Sequence, residues 1–277
     1  MHPYIGAKVA IATKHGKKEL IAPAFQQLQI DLQQAGVDTD LLGTFTGEVP
    51  RSGSARETAI KKACLGMEAL ELSYGIASEG SYGSDAQIPI LSSGIELLAW
   101  VDEEREIEIV ESHRSFDIQA ASKSLHRGER FVDYIEEFKL PSHAVIVRSP
   151  ESEKPLIFKG LHTINEVETA LEKCWADSEI AIVENDLRAH LNPTRQQAIA
   201  AVAAKLAQRL LQLCPNCQTP GWGVTDVLRG AECEECGEFD ASYPIGEILG
   251  CALCDFQENR ELGKKEFKAR DCVICNP

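Results

Sequence analysis

The residues best placed to do chemistry are cysteines near the end of the chain. Four two-thiol units follow one another: Cys214-x-x-Cys217, Cys233-x-x-Cys236, Cys251-x-x-Cys254 and Cys272-x-x-Cys275, separated by 15, 14 and 17 residues. A tetrahedral zinc ion takes four thiolates at about 2.3 Å, and two tight knuckles supply two sulfurs each. Eight thiols at this spacing are expected to hold two structural zinc ions. The pairing expected is sequential, Cys214 and Cys217 with Cys233 and Cys236, then Cys251 and Cys254 with Cys272 and Cys275. The spacings also allow a cross-braced arrangement, first pair with third and second with fourth. Closed four-thiolate sites leave no open coordination position, so this metal would be structural rather than catalytic.

A second set of candidates lies earlier. Tyr74-Gly-Ile-Ala-Ser-Glu79 reads as a short strand running into Gly80-Ser-Tyr-Gly83. A carboxylate at a strand end, followed by glycines that permit close approach, is where open α/β sheets place ligands. Ala7–Thr13 reads as a first buried strand, broken at Lys14-His-Gly-Lys-Lys18 before a helix from Glu19 past Leu28. Such a strand–loop–helix unit suits a phosphate, because loop amides and the positive helix end face the anion. A plain turn with solvated lysines would look similar. Asp186, Arg188 and Arg195, with Glu184 and His190, form a dense ionisable cluster that is read either as a surface patch or as part of a ligand site.

These groups need positioning elements. Ser54-Ala-Arg-Glu57 is a capping box, opening a helix to about Glu71 whose inner face carries Ile60, Cys64, Met67 and Leu70. Strands are expected around 95–101 and 107–110, and a mostly helical stretch over 119–138 interrupted at Gly128. A hairpin is expected between 143–148 and 156–159, a helix over 164–175 and a strand over 179–184. Asn192 and Pro193 open a helix to Leu213, with Ile199, Val202, Leu206, Leu210 and Leu213 on one side. The pattern predicts an α/β unit, in the sense of a mixed α+β sheet domain, over 1–190, a connecting helix over 191–213 and a small double zinc-ribbon module over 214–277.

Composition narrows the function. The chain carries a net charge of −15. The stretch from Cys214 has 12 acidic and 6 basic side chains, which argues against a nucleic-acid grip, since that needs lysine and arginine to neutralise phosphates. The residues Arg260, Lys264, Lys265, Lys268 and Arg270 are read as a solvated surface. No apolar run approaches the length of a membrane span. The N-terminal residues show no signal peptide, and cytoplasmic residence with reduced thiols is the expectation.

Ala12-Thr-Lys-His-Gly-Lys-Lys18 resembles the phosphate loop of inosine/xanthosine triphosphate pyrophosphatases. Arg56-Glu-Thr-Ala-Ile-Lys-Lys-Ala63 is similar to a helix of that superfamily, and Ala77-Ser-Glu-Gly-Ser81 to its strand end. The resemblance covers about residues 5–175. It implies a pyrophosphatase-like fold and a nucleoside triphosphate cleaved to monophosphate and pyrophosphate. Glu57 and Glu79 would hold Mg²⁺ or Mn²⁺; Thr13, Lys18 and Lys62, with Arg51 or Arg56, would bind the phosphates. Asp186, Arg188 and Arg195 would close over the phosphate tail or base. The sequence departs from the pattern: His15 replaces an asparagine, Arg56 an acidic residue, Thr58 an asparagine and Ser78 an aspartate. The whole architecture, with Asp38-Thr-Asp40, Asn192-Pro-Thr-Arg195 and the cysteine pairs, resembles a bacterial family known only as a domain of unknown function. The competing expectation is a protein that senses a nucleotide without turning it over and recruits a protein partner through the zinc tail. A homodimer is compatible with either.

Overall fold

The structure, a computed structural model, describes residues 2–13, 16–43, 53–150 and 156–277. It is a mixed α+β protein with three sheets and a cysteine-rich C-terminal module. The expected positions His15 and Arg51 lie outside the described residues.

The first sheet has the order β2-β1-β3-β4-β5. Its elements are β1 (Lys8–Ala12), α1 (Lys17–Ile21), β2 (Asp31–Ala35), α2 (Ala55–Leu70), β3 (Tyr74–Ser84), β4 (Ser92–Asp102) and β5 (Ile107–Ser115). Strand β1 runs parallel to β2 and β3, and β3–β4–β5 form an antiparallel meander. Alternation along β1 decides what each face meets. Val9 and Ile11 point into the main core, while Ala10 joins the smaller cluster under α2. Small residues let α2 lie close: a Cβ added at Gly66 would stand 3.3 Å from the Ala12 Cβ, and one at Gly75 would stand 2.6 Å from Met67.

The second sheet has the order β6-β9-β7-β8. It follows from β6 (Ser122–His126), α3 (Ile135–Phe138), β7 (Val145–Arg148), β8 (Ile157–Leu161), α4 (Ile164–Trp175) and β9 (Ile180–Asn185). The stretch expected to be mostly helical thus opens with a strand. Ser122-Lys-Ser-Leu-His126 pairs antiparallel with β9, and Leu125 is its buried residue. Gly128, at φ 92°, turns the chain where the expected helix was to be merely interrupted. Helix α4 closes this sheet with Val167, Ala170 and Leu171 in a core separate from the first. The segment expected to form one unit therefore holds two sheets, each with its own core.

Helix α5 (Pro193–Leu211) returns to the first sheet. Ile199, Val202, Leu206 and Leu210 are fully buried against Ile11, Ile76, Leu98 and Trp100. Asn192 caps it by accepting the Arg195 N–H. The module beyond has β10 (Gly223–Cys233), β11 (Phe239–Gly250), β12 (Gln257–Glu261) and β13 (Glu266–Phe267), in the order β12-β11-β10-β13. Among the described residues no helix is long and apolar enough to cross a membrane.

Candidate functional site

Strand β1 ends at Ala12, whereas its neighbour β3, paired with it at Ala10↔Gly75 and Ile11↔Ile76, runs on to Ser84, and the step beyond the carboxyl end of β1 is the candidate cleft. A cleft of this kind in an open sheet is where ligands enter. Gly16, at φ 66°, caps α1 and turns the chain so that Lys17 opens the helix. Lys17 Nζ donates to Ser78 Oγ at 2.9 Å. Alternation along β3 puts Ser78, Gly80 and Tyr82 on one face and Glu79 on the other.

On the α2 face, Lys62 is ion-paired with Glu79, and both are buried. On the α5 face, Arg195 Nε donates to Glu96 Oε1 at 2.7 Å, with side chains 1% and 0% exposed. Arg195 also donates to the Leu187 carbonyl, and its guanidinium lies 5.8 Å from the centre of the Tyr82 ring. The Tyr82 hydroxyl donates to Glu96 at 2.9 Å. Gly80 makes room for this assembly, since a Cβ there would stand 2.6 Å from Glu96 Oε1. The charges of Arg195, Glu96, Glu79 and Lys62 all act on Lys17. Burial, then the charge of Arg195, pulls the Lys17 ammonium down to about 8. Burial and the Glu96 carboxylate push the Tyr82 hydroxyl up.

Three cations and two carboxylates therefore meet at the described part of the cleft, and each carboxylate already faces a cation. The hydroxyls of Thr13 and Thr58, both buried, find no partner among the described residues. Thr58 lies one turn before Lys62 on α2, so it stands on the same helix face.

The other expected site residues lie elsewhere. Glu57 closes the capping box: its carboxylate accepts from the Ser54 N–H at 2.8 Å and the Ser54 hydroxyl at 3.0 Å. Those bonds hold it below the usual carboxylate range. Among the described residues no contact joins Glu57 to Glu79. Arg56 pairs with Glu108 on the exposed surface. Lys18 is half-buried on α1 beside Lys17. Asp186, fully buried, binds Arg188 and accepts the Gly160 N–H. Sequence reasoning missed Lys17, Ser78, Tyr82 and Glu96. The period-2 alternation of β3 was the available signal for Ser78 and Tyr82; nothing local marks Glu96, which meets Arg195 from 99 residues away.

The second centre is the cysteine module, and here the expected sequential pairing is corrected. One quartet is Cys214, Cys217, Cys251 and Cys254; the other is Cys233, Cys236, Cys272 and Cys275, each with its sulfurs within 4.8 Å of one another. The module is cross-braced. The cause is the β10–β11 hairpin, whose register pairs Gly223 with Gly250 at one end and Glu232 with Phe239 at the other. The first and third knuckles thus meet at its base and the second lies at its tip. Strand β13, pairing Cys233 with Phe267, brings the fourth knuckle to that tip.

The closest sulfur pairs stand 3.5 to 3.8 Å apart. A tetrahedral ion with about 2.3 Å bonds to sulfur requires a sulfur spacing of about 3.8 Å, so each quartet fits one zinc. The Thr219 hydroxyl pulls the Cys217 thiol down to about 6, and the Cys236 and Glu235 N–H groups pull Cys233 to about 7. Burial pushes Cys251 up to about 12. Four thiolates in one cluster need a cation to complete their ionisation, which zinc supplies. Basic residues of the module pair with neighbouring acids, Arg260 with Glu247 and Lys265 with Glu261. Among the described residues no carboxylate or histidine cluster offers a third metal site.

The family whose sequence model matches is described as "Domain of unknown function (DUF6671)", and the match spans residues 62–277. It takes in Lys62, Glu79, Glu96, Arg195 and all eight module cysteines. No curated protein and no solved structure matches the chain, so the resemblance to the pyrophosphatases gains no support.

Proposed function

The chain belongs to that family of unknown function, and we propose that it binds a phosphorylated anion, a nucleotide first of all, in the cleft between β1 and β3. One observation carries this reading. Lys17, Lys62 and Arg195 reach the cleft from three separate helices, and Glu79 and Glu96 are each already matched by a cation. The described charges therefore favour an anion as the group that completes the cleft. Phosphate oxygens would also serve the Thr13 and Thr58 hydroxyls, whose burial without a partner is otherwise costly. The zinc module is a structural scaffold in this reading, carried on α5 and able to present a surface to a protein partner.

A pyrophosphatase is the second reading, favoured by the Lys62–Glu79 pair, which joins the α2 lysine and β3 carboxylate named by the resemblance. Its Mg²⁺ or Mn²⁺ chemistry would need Glu79 to exchange Lys62 for the ion and Glu57 to leave its cap. The fit is poor in both places.

The two readings separate in one experiment. Purified zinc-loaded chain is given ATP, ITP, XTP and their monophosphates with and without Mg²⁺, while binding and pyrophosphate release are followed. Saturable binding without release supports the binding protein. Release that disappears in Glu79→Gln supports the enzyme, and absence of binding to every nucleotide removes both.

A further inference from the structure

The first sheet is covered unequally. On one face α5 and the segment Ala22–Leu28 bury Ile11, Ile76, Leu98, Trp100, Ile107 and Ile109. On the other face α2 lies over β3, β4 and β1 and touches β2, while its packing on β5 is slight. Cross-strand pairing places Leu97, Ala99 and Val101 of β4 on that face, opposite Ser112, Val110 and Glu108 of β5. Leu97 and Val110 are half-buried there, and Ile95 is 40% exposed. A sheet face with apolar residues needs a cover, and one helix does not span five strands.

Ala99 and Val101 are already buried on this face, and at the edge of α2 beside them lies an open groove of about 800 Å³, with Met67, Leu72, Val101 and Ile107 among its lining residues. Its rim is acidic: Glu68, Glu71, Glu103 and Glu106 are exposed, and none is ion-paired among the described residues. The groove lies toward the C-terminal half of α2, away from the cation-rich cleft.

We propose that this groove docks a basic amphipathic helix of a protein partner, laid alongside α2 as the missing second helix of that layer. Charge complementarity selects the occupant. An apolar stripe would meet Cys64, Leu72 and the edge of Val101, which line the groove, while flanking lysines or arginines would reach the four rim carboxylates. A helix of about ten residues would run about 15 Å along the slot. The chain's net charge of −15 steers the same class of partner toward it. This inference is independent of the nucleotide reading, since the two sites share no residue.

The probe is a synthetic 14-residue leucine/lysine amphipathic helix, with a leucine/glutamate counterpart as control, titrated into the zinc-loaded chain. The cationic peptide is expected to bind saturably and to slow modification of the exposed Cys64, which lines the groove. The combined change Glu68→Lys, Glu103→Lys and Glu106→Lys is expected to weaken binding at least tenfold. Cys64→Trp, which fills the slot without changing charge, should weaken it as well. Equal weakening by Glu258→Lys and Glu261→Lys in the module would reveal unspecific attraction and overturn the proposal. A dimer by light scattering that dissociates in Val110→Lys would give the face to a second copy and also overturn it. So would a failure of the peptide to bind.

Discussion

The cleft and the cysteine module collect charge in opposite senses. The module gathers eight thiols and, among the described residues, pairs no lysine or arginine with them; Arg260, Lys265 and Arg270 pair instead with Glu247, Glu261 and Asp271. Its quartets are completed by a cation. The cleft brings its own cations, Lys17, Lys62 and Arg195, against Glu79 and Glu96. Under the proposed function it is completed by an anion. The comparison teaches that a metal site and a ligand site can share one chain without sharing a metal. Of the carboxylates expected to bind magnesium, Glu79 is paired with Lys62 and Glu57 is held by the Ser54 cap.

The largest effect expected lies in the module. Stripping zinc should remove the β10–β13 strand signal and leave the helices of the preceding part, because the fold of such a module is coupled to its metal. Metal analysis should give two zinc per chain, and far less would break the comparison at its first term. Cross-bracing makes a sharper demand: losing one ion should disturb the hairpin at one end only. Cys214→Ser, beside the end of α5, should perturb the packing of Trp222 on Phe256, whereas Cys275→Ser should spare it.

Next comes the buried pair of the cleft. Arg195→Ala leaves Glu96 charged, buried and without its main partner, and should cost about 3–5 kcal/mol in urea unfolding. A smaller loss is expected for Gly80→Ala, about 1–3 kcal/mol, because the added Cβ must displace Glu96. A negligible loss for Arg195→Ala would mean that the pair is not as dry as its geometry requires.

Lys17 adds a pH signature. Its ammonium is pulled from 10.5 to about 8 in the folded chain. Between those values the unfolded chain holds the proton more tightly, so stability rises with pH through that window and is lost again as pH falls toward 8. Anion binding has the opposite sign, weakening as pH rises through about 8 and Lys17 loses its charge. Lys17→Met should flatten both profiles.

The smallest effect distinguishes a cap from a ligand. Ser54→Ala should cost about 1 kcal/mol by removing the α2 cap, with anion binding unchanged. Glu57→Gln should leave binding intact too, whereas a magnesium ligand at that position would lose it.

How much was legible follows from where each contact is written. Local signals held: the Ser54–Glu57 capping box opens α2, α4 occupies Ile164–Trp175 as expected, and Pro193 starts α5. The cysteine spacing announced the metal sites but not their partners, because intervals of 15 and 14 residues do not say that a hairpin lies between them. The expected helix over 119–138 failed at Ser122–His126, whose strand identity comes from pairing with β9 rather than from local pattern. The lysine that the resemblance named for phosphate is Lys18, half-buried on α1. Gly16 in the left-handed region starts α1 two residues earlier than expected, and Lys17 donates to Ser78. Glu96 was invisible because its meaning depends on Arg195, on a helix that the second sheet separates from it in sequence.

The most direct test of the cleft is a titration of a nucleoside triphosphate into zinc-loaded wild type and Lys17→Met in magnesium-free buffer at pH 7. Saturable binding to wild type, weakened at least about tenfold in the variant, is the result predicted. Equal binding by both chains, or binding that appears only when magnesium is added, would contradict it.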